Sequence, residues 1–122
     1  MFASIYAGQK VLVTGHTGFK GSWLSLWLLE LGAEVVGFSN DIATNPSIFT
    51  DLNLKDKITD YRGDIRDIIS LNEAVLNEKP DFIFHLAAQP IVSESYADPV
   101  GTITTNAIGT MNLMEGLRKI DW

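Results

Sequence analysis

The chain has 122 residues, 46% of them hydrophobic and 20% charged, enough for one domain, spanning residues 1–122, with a real core. Nine Lys and Arg against fifteen Asp and Glu give a net charge of −6, and no basic block is present to release counterions from a phosphate backbone, which argues against nucleic acid as a partner. The absence of cysteine removes disulfides, thiolate zinc sites and thiol catalysis and fits a cytoplasmic setting; no apolar run approaches the ~20 residues of a membrane span, and the opening MFASIYAGQK lacks the features of a signal peptide.

In chain order, Lys10 to Thr14 (KVLVT) is the first predicted strand, apolar enough to be buried on both faces. A glycine-rich turn follows. From Gly21 to Leu31 the tryptophans at 23 and 27 and the leucines at 24, 26, 28 and 31 recur at helical spacing, and Gly32 sits where a helix ends. Glu34 to Phe38 is the second strand, followed by a polar loop from Ser39 through Pro46. Ile58 to Tyr61 is a weaker third strand with Asp64 beyond its end, and Ser70 to Asn77 a helix stopped before Pro80. Asp81 to Leu86 (DFIFHL) is the fourth strand, Ala87 to Tyr96 a loop with at most a turn of helix, and Thr102 to Lys119 the last helix. The alternation predicts an α/β fold, a Rossmann-like doubly wound parallel sheet with strand order 3-2-1-4, incomplete because the chain ends on a helix.

Gly15-His16-Thr17-Gly18-Phe19-Lys20-Gly21 places a G-x-x-G-x-x-G between strand and helix. Gly15 permits the tight turn, Gly18 lets backbone approach a pyrophosphate, and Gly21 lets the helix pack closely on the sheet. The free N–H groups and positive end of the helix then face the anion. At the end of the second strand, where a carboxylate usually grips the adenosine ribose, stand Ser39, Asn40 and Asp41. A hydroxyl bonds ribose without repelling a 2′-phosphate, and Lys20 and His16 could favour that phosphate, so these residues leave the choice between NAD and NADP open. His16 is expected to be exposed and structural, His85 a satisfied core histidine rather than a base, and Asn106 a tie between the last helix and neighbouring loops. No converging ligand set for a metal is visible.

Gly15 to Gly21 (G-x-x-G-F-x-G), Gly63-Asp64-Ile65-Arg66-Asp67, His85-Leu86-Ala87-Ala88 and Asn106-Ala107-Ile108-Gly109-Thr110, in that order, resemble the extended short-chain dehydrogenase/reductase superfamily. Within it, Val13 to Leu24, Asn45 to Phe49 and His85 to Pro90 are most similar to the CDP-glucose 4,6-dehydratase family. The resemblance implies pyrophosphate contacts from the glycine turn, including Thr17, Phe19 and Lys20, ribose contacts from Ser39 and Asn40, and adenine contacts from Asp64 and Ile65. It places Leu86, Ala87, Ala88 and Gln89 beneath the nicotinamide side and Thr105 on the cofactor from the last helix. Val92 and Ser95 are candidate neighbours of a nucleotide-sugar substrate, although Ser93 to Tyr96 depart from the pattern, which often has Arg there. The chemistry it implies is internal redox on CDP-glucose: hydride leaves sugar C4 for NAD as a Tyr takes the hydroxyl proton, water is lost across C5 and C6, and hydride returns to C6. The Tyr-x-x-x-Lys pair for this would lie past residue 122, so no catalytic residue is expected here and this chain alone should be inactive. Tyr6 and Lys10 match the spacing but precede the first strand. A homodimer is expected through helices including 102–119, with the edge of the fourth strand and one helix face left uncovered.

Overall fold

A computed structural model describes all of residues 1–122. Its sheet has four parallel strands, β1 (Lys10–Thr14), β2 (Glu34–Ser39), β3 (Thr59–Arg62) and β4 (Phe82–His85), in the order β3-β2-β1-β4. This is the predicted Rossmann-like order. Alternate side chains of the strands build two cores. Leu12, Val36 and Phe38 face one side and pack with Ile65, Leu71, Ala74, Val75 and Leu113; Val11, Val13 and Val35 face the other and pack with Leu28 and Ala33. Helix α1 (Phe19–Glu30) covers the second face, while α3 (Ile68–Glu78) and α6 (Gly109–Arg118) cover the first.

Each element ends for a local reason. Gly32, at φ +83°, follows α1 as the left-handed residue that closes a helix. The Asp67 carboxylate accepts from the N–H groups of Ile69 and Ser70 and starts α3 two residues ahead of the predicted Ser70. A four-residue helix, α2 (Ile48–Asp51), interrupts the long connection after β2, with Ser47 capping it.

The end of the chain differs from expectation. The segment read as a loop with one turn contains α4 (Val92–Ala97), and the last helix starts earlier than Thr102, at Pro99. Asp98 caps Gly101 N–H and Pro99 occupies the first turn, a start signal carried by two residues that periodicity alone passes over. From α5 (Pro99–Ile103) the helix runs through a π-helical turn, Thr104–Ile108, into α6. Such turns interrupt helices mostly at functional positions.

Because β2 lies on one side of β1 and β4 on the other, the chain turns in opposite directions after β1 and after β3, and a crevice forms at the carboxyl ends of β1 and β4. β4 is one edge of the sheet, β3 the other; Phe82 of β4 is exposed, as are Ile103, Ile108, Met111 and Met114 on the last helix. No helix is long and apolar enough to cross a membrane.

Candidate dinucleotide-binding site

The three turn glycines occupy three different environments. Gly15 has φ +73°, and a Cβ there would stand 2.8 Å from the Ala87 nitrogen, so the turn lies directly against the loop leaving β4. A Cβ at Gly21 would run into the Gly15 carbonyl and His16 Cα, so α1 packs on the turn as closely as a backbone allows. At Gly18 the nearest atom to such a Cβ is the Gly15 carbonyl oxygen at 3.4 Å, and the residue is exposed. The fold therefore constrains Gly15 and Gly21, while Gly18 faces open space. Beside it the backbone N–H groups of Phe19, Lys20 and Gly21 bond to no other group of the protein. Three unpaired donors at the positive end of a twelve-residue helix, beside a glycine with nothing above it, form a cradle for a polyanion.

Side chains fix the turn to the sheet. The hydroxyls of Thr17 and Ser39 are 2.8 Å apart and buried, and the Thr17 hydroxyl also donates to the Asp41 carbonyl at 2.8 Å. Ser39 thus joins the glycine turn to the end of β2, and exposed Asn40 and Asp41 form the rim. Ser22 donates to the His16 carbonyl.

His16 is fully buried, contrary to the expectation of exposure. Its Nε2 lies 2.6 Å from Asp60 Oδ1, its ring meets Phe49 edge-on at 5.4 Å, and Nδ1 has no partner. Burial lowers its pKa, with Asp60 opposing. A neutral ring facing β3 is not available to a 2′-phosphate. The signal for this was Gly37, opposite Val13 on β1 and Asp60 on β3: only a residue without Cβ leaves room for the ring.

The adenine-side candidates follow β3. Asp64 receives a forked pair of N–H bonds from Arg66, Nε to Oδ1 and Nη2 to Oδ2, which holds its carboxyl below the ordinary range while partial burial opposes. Ile65 is buried in the core, so it offers backbone only. Buried Asn112 on α6 donates to the carbonyls of Ile65 and Arg66, at 3.2 and 3.0 Å, and pins this loop. Sequence reasoning missed Asn112; a polar residue between Met111 and Leu113 was the available sign.

Beyond β4, the N–H groups of Leu86 and Ala87 both reach Thr14 Oγ1, at 3.0 and 3.1 Å. Exposed Ala88 follows, and Gln89 is the hub of the loop. Its N–H donates to Asn106 Oδ1, Asn106 Nδ2 returns a bond to its carbonyl, and its side chain bridges Ile91 and Thr102. Asn106 thus ties helix to loop as expected. His85, with both ring nitrogens bonded, is likewise a satisfied histidine. Thr105, on the π-helical turn, lines a polar pocket of about 120 Å³ together with Arg66, Gln89, Asp98 and Thr102. Val92 is exposed on α4, and the Ser95 hydroxyl is committed to the Val92 carbonyl at 2.6 Å. No cluster of side chains that could hold a metal ion is present.

An open parallel sheet with a glycine cradle at its switch point defines the class of dinucleotide-binding Rossmann-like domains. The sequence pattern of the GDP-mannose 4,6 dehydratase family matches residues 12–122, and the chain belongs to that family. It is 47% identical over 117 residues to CDP-glucose 4,6-dehydratase of Salmonella typhimurium, covering 96% of this chain and 33% of the relative. It is 33% identical to UDP-glucose 4-epimerase of Halalkalibacterium halodurans, covering 93% of this chain and 32% of the relative. Among solved structures, the UDP-glucose 4-epimerase of Thermus thermophilus in complex with NAD superposes with a TM-score of 0.80 at 34% identity, over 90% of this chain and 34% of that one. The chain spans about a third of the length of these relatives.

Proposed function

We propose that residues 1–122 are an NAD-binding Rossmann-like domain serving a nucleotide-sugar 4,6-dehydratase that acts on CDP-glucose. The observation carrying the cofactor reading is the cradle itself, with Gly18 open and the N–H groups of Phe19, Lys20 and Gly21 unpaired beside it. A pyrophosphate satisfies these donors, and the helix end favours its charge. Gly15, Thr17 and Gly21 shape the turn, Ser39 and Asn40 meet the adenosine ribose, Asp64 and the Ile65 backbone take the adenine edge, Leu86, Ala87, Ala88 and Gln89 form the floor, and Thr105 closes the site from the π-helical turn. The residues present fit this group: donors meet the anion, and the Asp64 carboxylate accepts from the adenine amino group. When bound, NAD supplies a hydride acceptor that returns the hydride within one turnover. This chain's own part is to hold and orient it.

The CDP-glucose assignment rests on the 47% identity to the Salmonella dehydratase. In this reading Val92 and Ser95 neighbour the sugar. The tyrosine base and its lysine have no counterpart in residues 1–122, so this chain alone is expected to give no turnover. The structural likeness to an NAD-bound epimerase favours a second reading, 4-epimerisation of a nucleotide sugar by the same cofactor chemistry. Pairing of two copies through the exposed side of the last helix and a cytoplasmic location complete the proposal. Incubating CDP-glucose with the natural protein that contains this chain distinguishes the readings: a 4-keto-6-deoxy product supports the dehydratase, CDP-galactose the epimerase, and no product with any nucleotide sugar contradicts both.

A further inference from the structure

The hydrogen bonds around His85 fix the direction of every proton in a chain that crosses the crevice. Thr14 Oγ1 accepts from the N–H of Ala87 and shares the N–H of Leu86 with the Thr14 carbonyl, which receives it at 3.1 Å, so donors already face its lone pairs. Its own proton therefore goes to the one remaining neighbour, His85 Nδ1, at 2.7 Å. At the other side of the ring, the Thr110 hydroxyl donates to the Asn106 carbonyl at 2.7 Å, so its oxygen accepts from His85 Nε2 at 2.9 Å. The two ends agree independently: Nδ1 accepts and Nε2–H donates.

We propose that His85 is a positioning residue that works only as this neutral tautomer, transmitting the position of the last helix to the loop Leu86 to Gln89 through Thr14 and Thr110. A proton on Nδ1 would present Thr14 Oγ1 with a third donor and strand the threonine proton. The bond that must yield is the one to Leu86 or Ala87, the first residues of the loop. Asn106 joins the same loop from the other end through Gln89, so one helical turn governs both ends.

The charged groups on the elements packed around the ring are engaged elsewhere: Asp64 and Arg66, on the loop that packs on Gly109, bond to each other. On β1 the only ionisable side chain is Lys10, at the far end and paired with Glu34 and Glu78. On α6 and at its cap, Glu115 bonds Arg118 and Lys119 more than a turn beyond Thr110. Residues 86–91 carry no charge, and Asp81, before β4, is held by Lys10 N–H. Burial lowers the pKa of His85, and the Thr14 hydroxyl donating to Nδ1 favours the same neutral form. Acidification thus charges the ring below its ordinary range and releases the loop.

Since the loop is the floor of the proposed cofactor site, the functional consequence rests on that reading. The chemical one does not. Long-range proton–nitrogen NMR of the imidazole in this chain is expected to show a bare Nδ1 and a protonated Nε2 at pH 7, with the Leu86 and Ala87 amide signals shifting as the ring titrates. A protonated Nδ1 at pH 7, or titration that leaves those amides unmoved, overturns the relay. In NAD titrations, affinity should fall by about tenfold per pH unit once the ring charges. His85→Gln presents a carbonyl to Thr14 and an N–H to Thr110; it should keep the neutral-pH affinity and lose the pH dependence, whereas Thr14→Val should lose about tenfold or more at every pH and Thr14→Ser little. An unchanged pH profile in His85→Gln overturns the proposal. Wild-type chain that binds no NAD at any pH removes the cofactor reading and leaves the NMR test to decide the relay.

Discussion

Replacing Gly37 with alanine tests the least expected feature of the fold, the burial of His16. The added Cβ would lie inside 3.0 Å of three ring atoms, Cγ, Cδ2 and Nδ1. The ring has no room to retreat: it is 0% exposed, held by Asp60 at 2.6 Å and backed by Phe49. Overpacking of this kind costs about 1–3 kcal/mol, and three fixed atoms put this case near about 2.5. Losing glycine's freedom in the unfolded chain returns about 0.4–1 kcal/mol, leaving a net loss of about 2. With an unfolding entropy of about 2.1 cal/mol/K per residue, a chain of 122 residues loses about 4 °C per kcal/mol, so the midpoint should drop by about 8 °C. In a His16→Ala background, where Asp60 still has Arg62 at 3.2 Å, the same change should be neutral or slightly stabilising. Differential scanning calorimetry of the four variants in this cycle supplies the coupling, expected at about 2 kcal/mol. Equal midpoint shifts from Gly37→Ala in both backgrounds would refute the packing argument.

Three further outcomes follow from the geometry. Gly15→Ala combines φ +73° with a Cβ 2.8 Å from the Ala87 nitrogen, so urea denaturation should show a loss of about 2–3 kcal/mol. Asp67→Ala removes the cap of α3 and should lower stability by about 1 kcal/mol, while Asp67→Asn should retain most of it in the same assay. His16 and His85 both have lowered pKa values in the fold, so the unfolded state binds protons first; stability is complete above their ordinary pKa of 6.5 and declines as pH falls from there through the folded values. Asp64 and Glu78, lowered by Arg66 and by Lys10 respectively, extend the loss below their ordinary values of 3.8 and 4.5. Thermal melts from pH 8 to 3 should show the first decline in wild type and a smaller one in His85→Gln.

Hydrophobic runs and glycine placement made the sheet legible because strands buried on both faces have little compositional freedom: Val11, Leu12 and Val13 could hardly lie elsewhere. The turn was legible for a related reason, since Gly15 and Gly21 each answer a backbone requirement that sequence spacing reveals, whereas Gly18 meets none within the fold itself. What escaped depends on contacts distant in the chain. His16 looked exposed because its neighbours in sequence are turn residues, yet its partner is Asp60, 44 positions away. The bonds of Asn112 to the loop after β3 and of His85 to Thr14 and Thr110 span 25 to 71 positions and need the fold before they can be read. The π-helical turn has no sequence period of its own, and Asp98-Pro99 announced the early helix start more clearly than the apolar pattern did.

The central claim is that the glycine turn holds a dinucleotide, and Gly18 isolates it from stability. A Cβ at this position has only the Gly15 carbonyl oxygen within 4 Å, at an ordinary contact distance. Isothermal titration calorimetry of NAD into this chain and into Gly18→Ala, with melting midpoints taken in parallel, should show binding to the first, a loss of about tenfold or more in the second, and a midpoint lowered by no more than about 4 °C, the share expected from alanine at the cap of α1. Equal NAD affinity in the two proteins, with midpoints within that range, would contradict the placement of the cofactor on this turn.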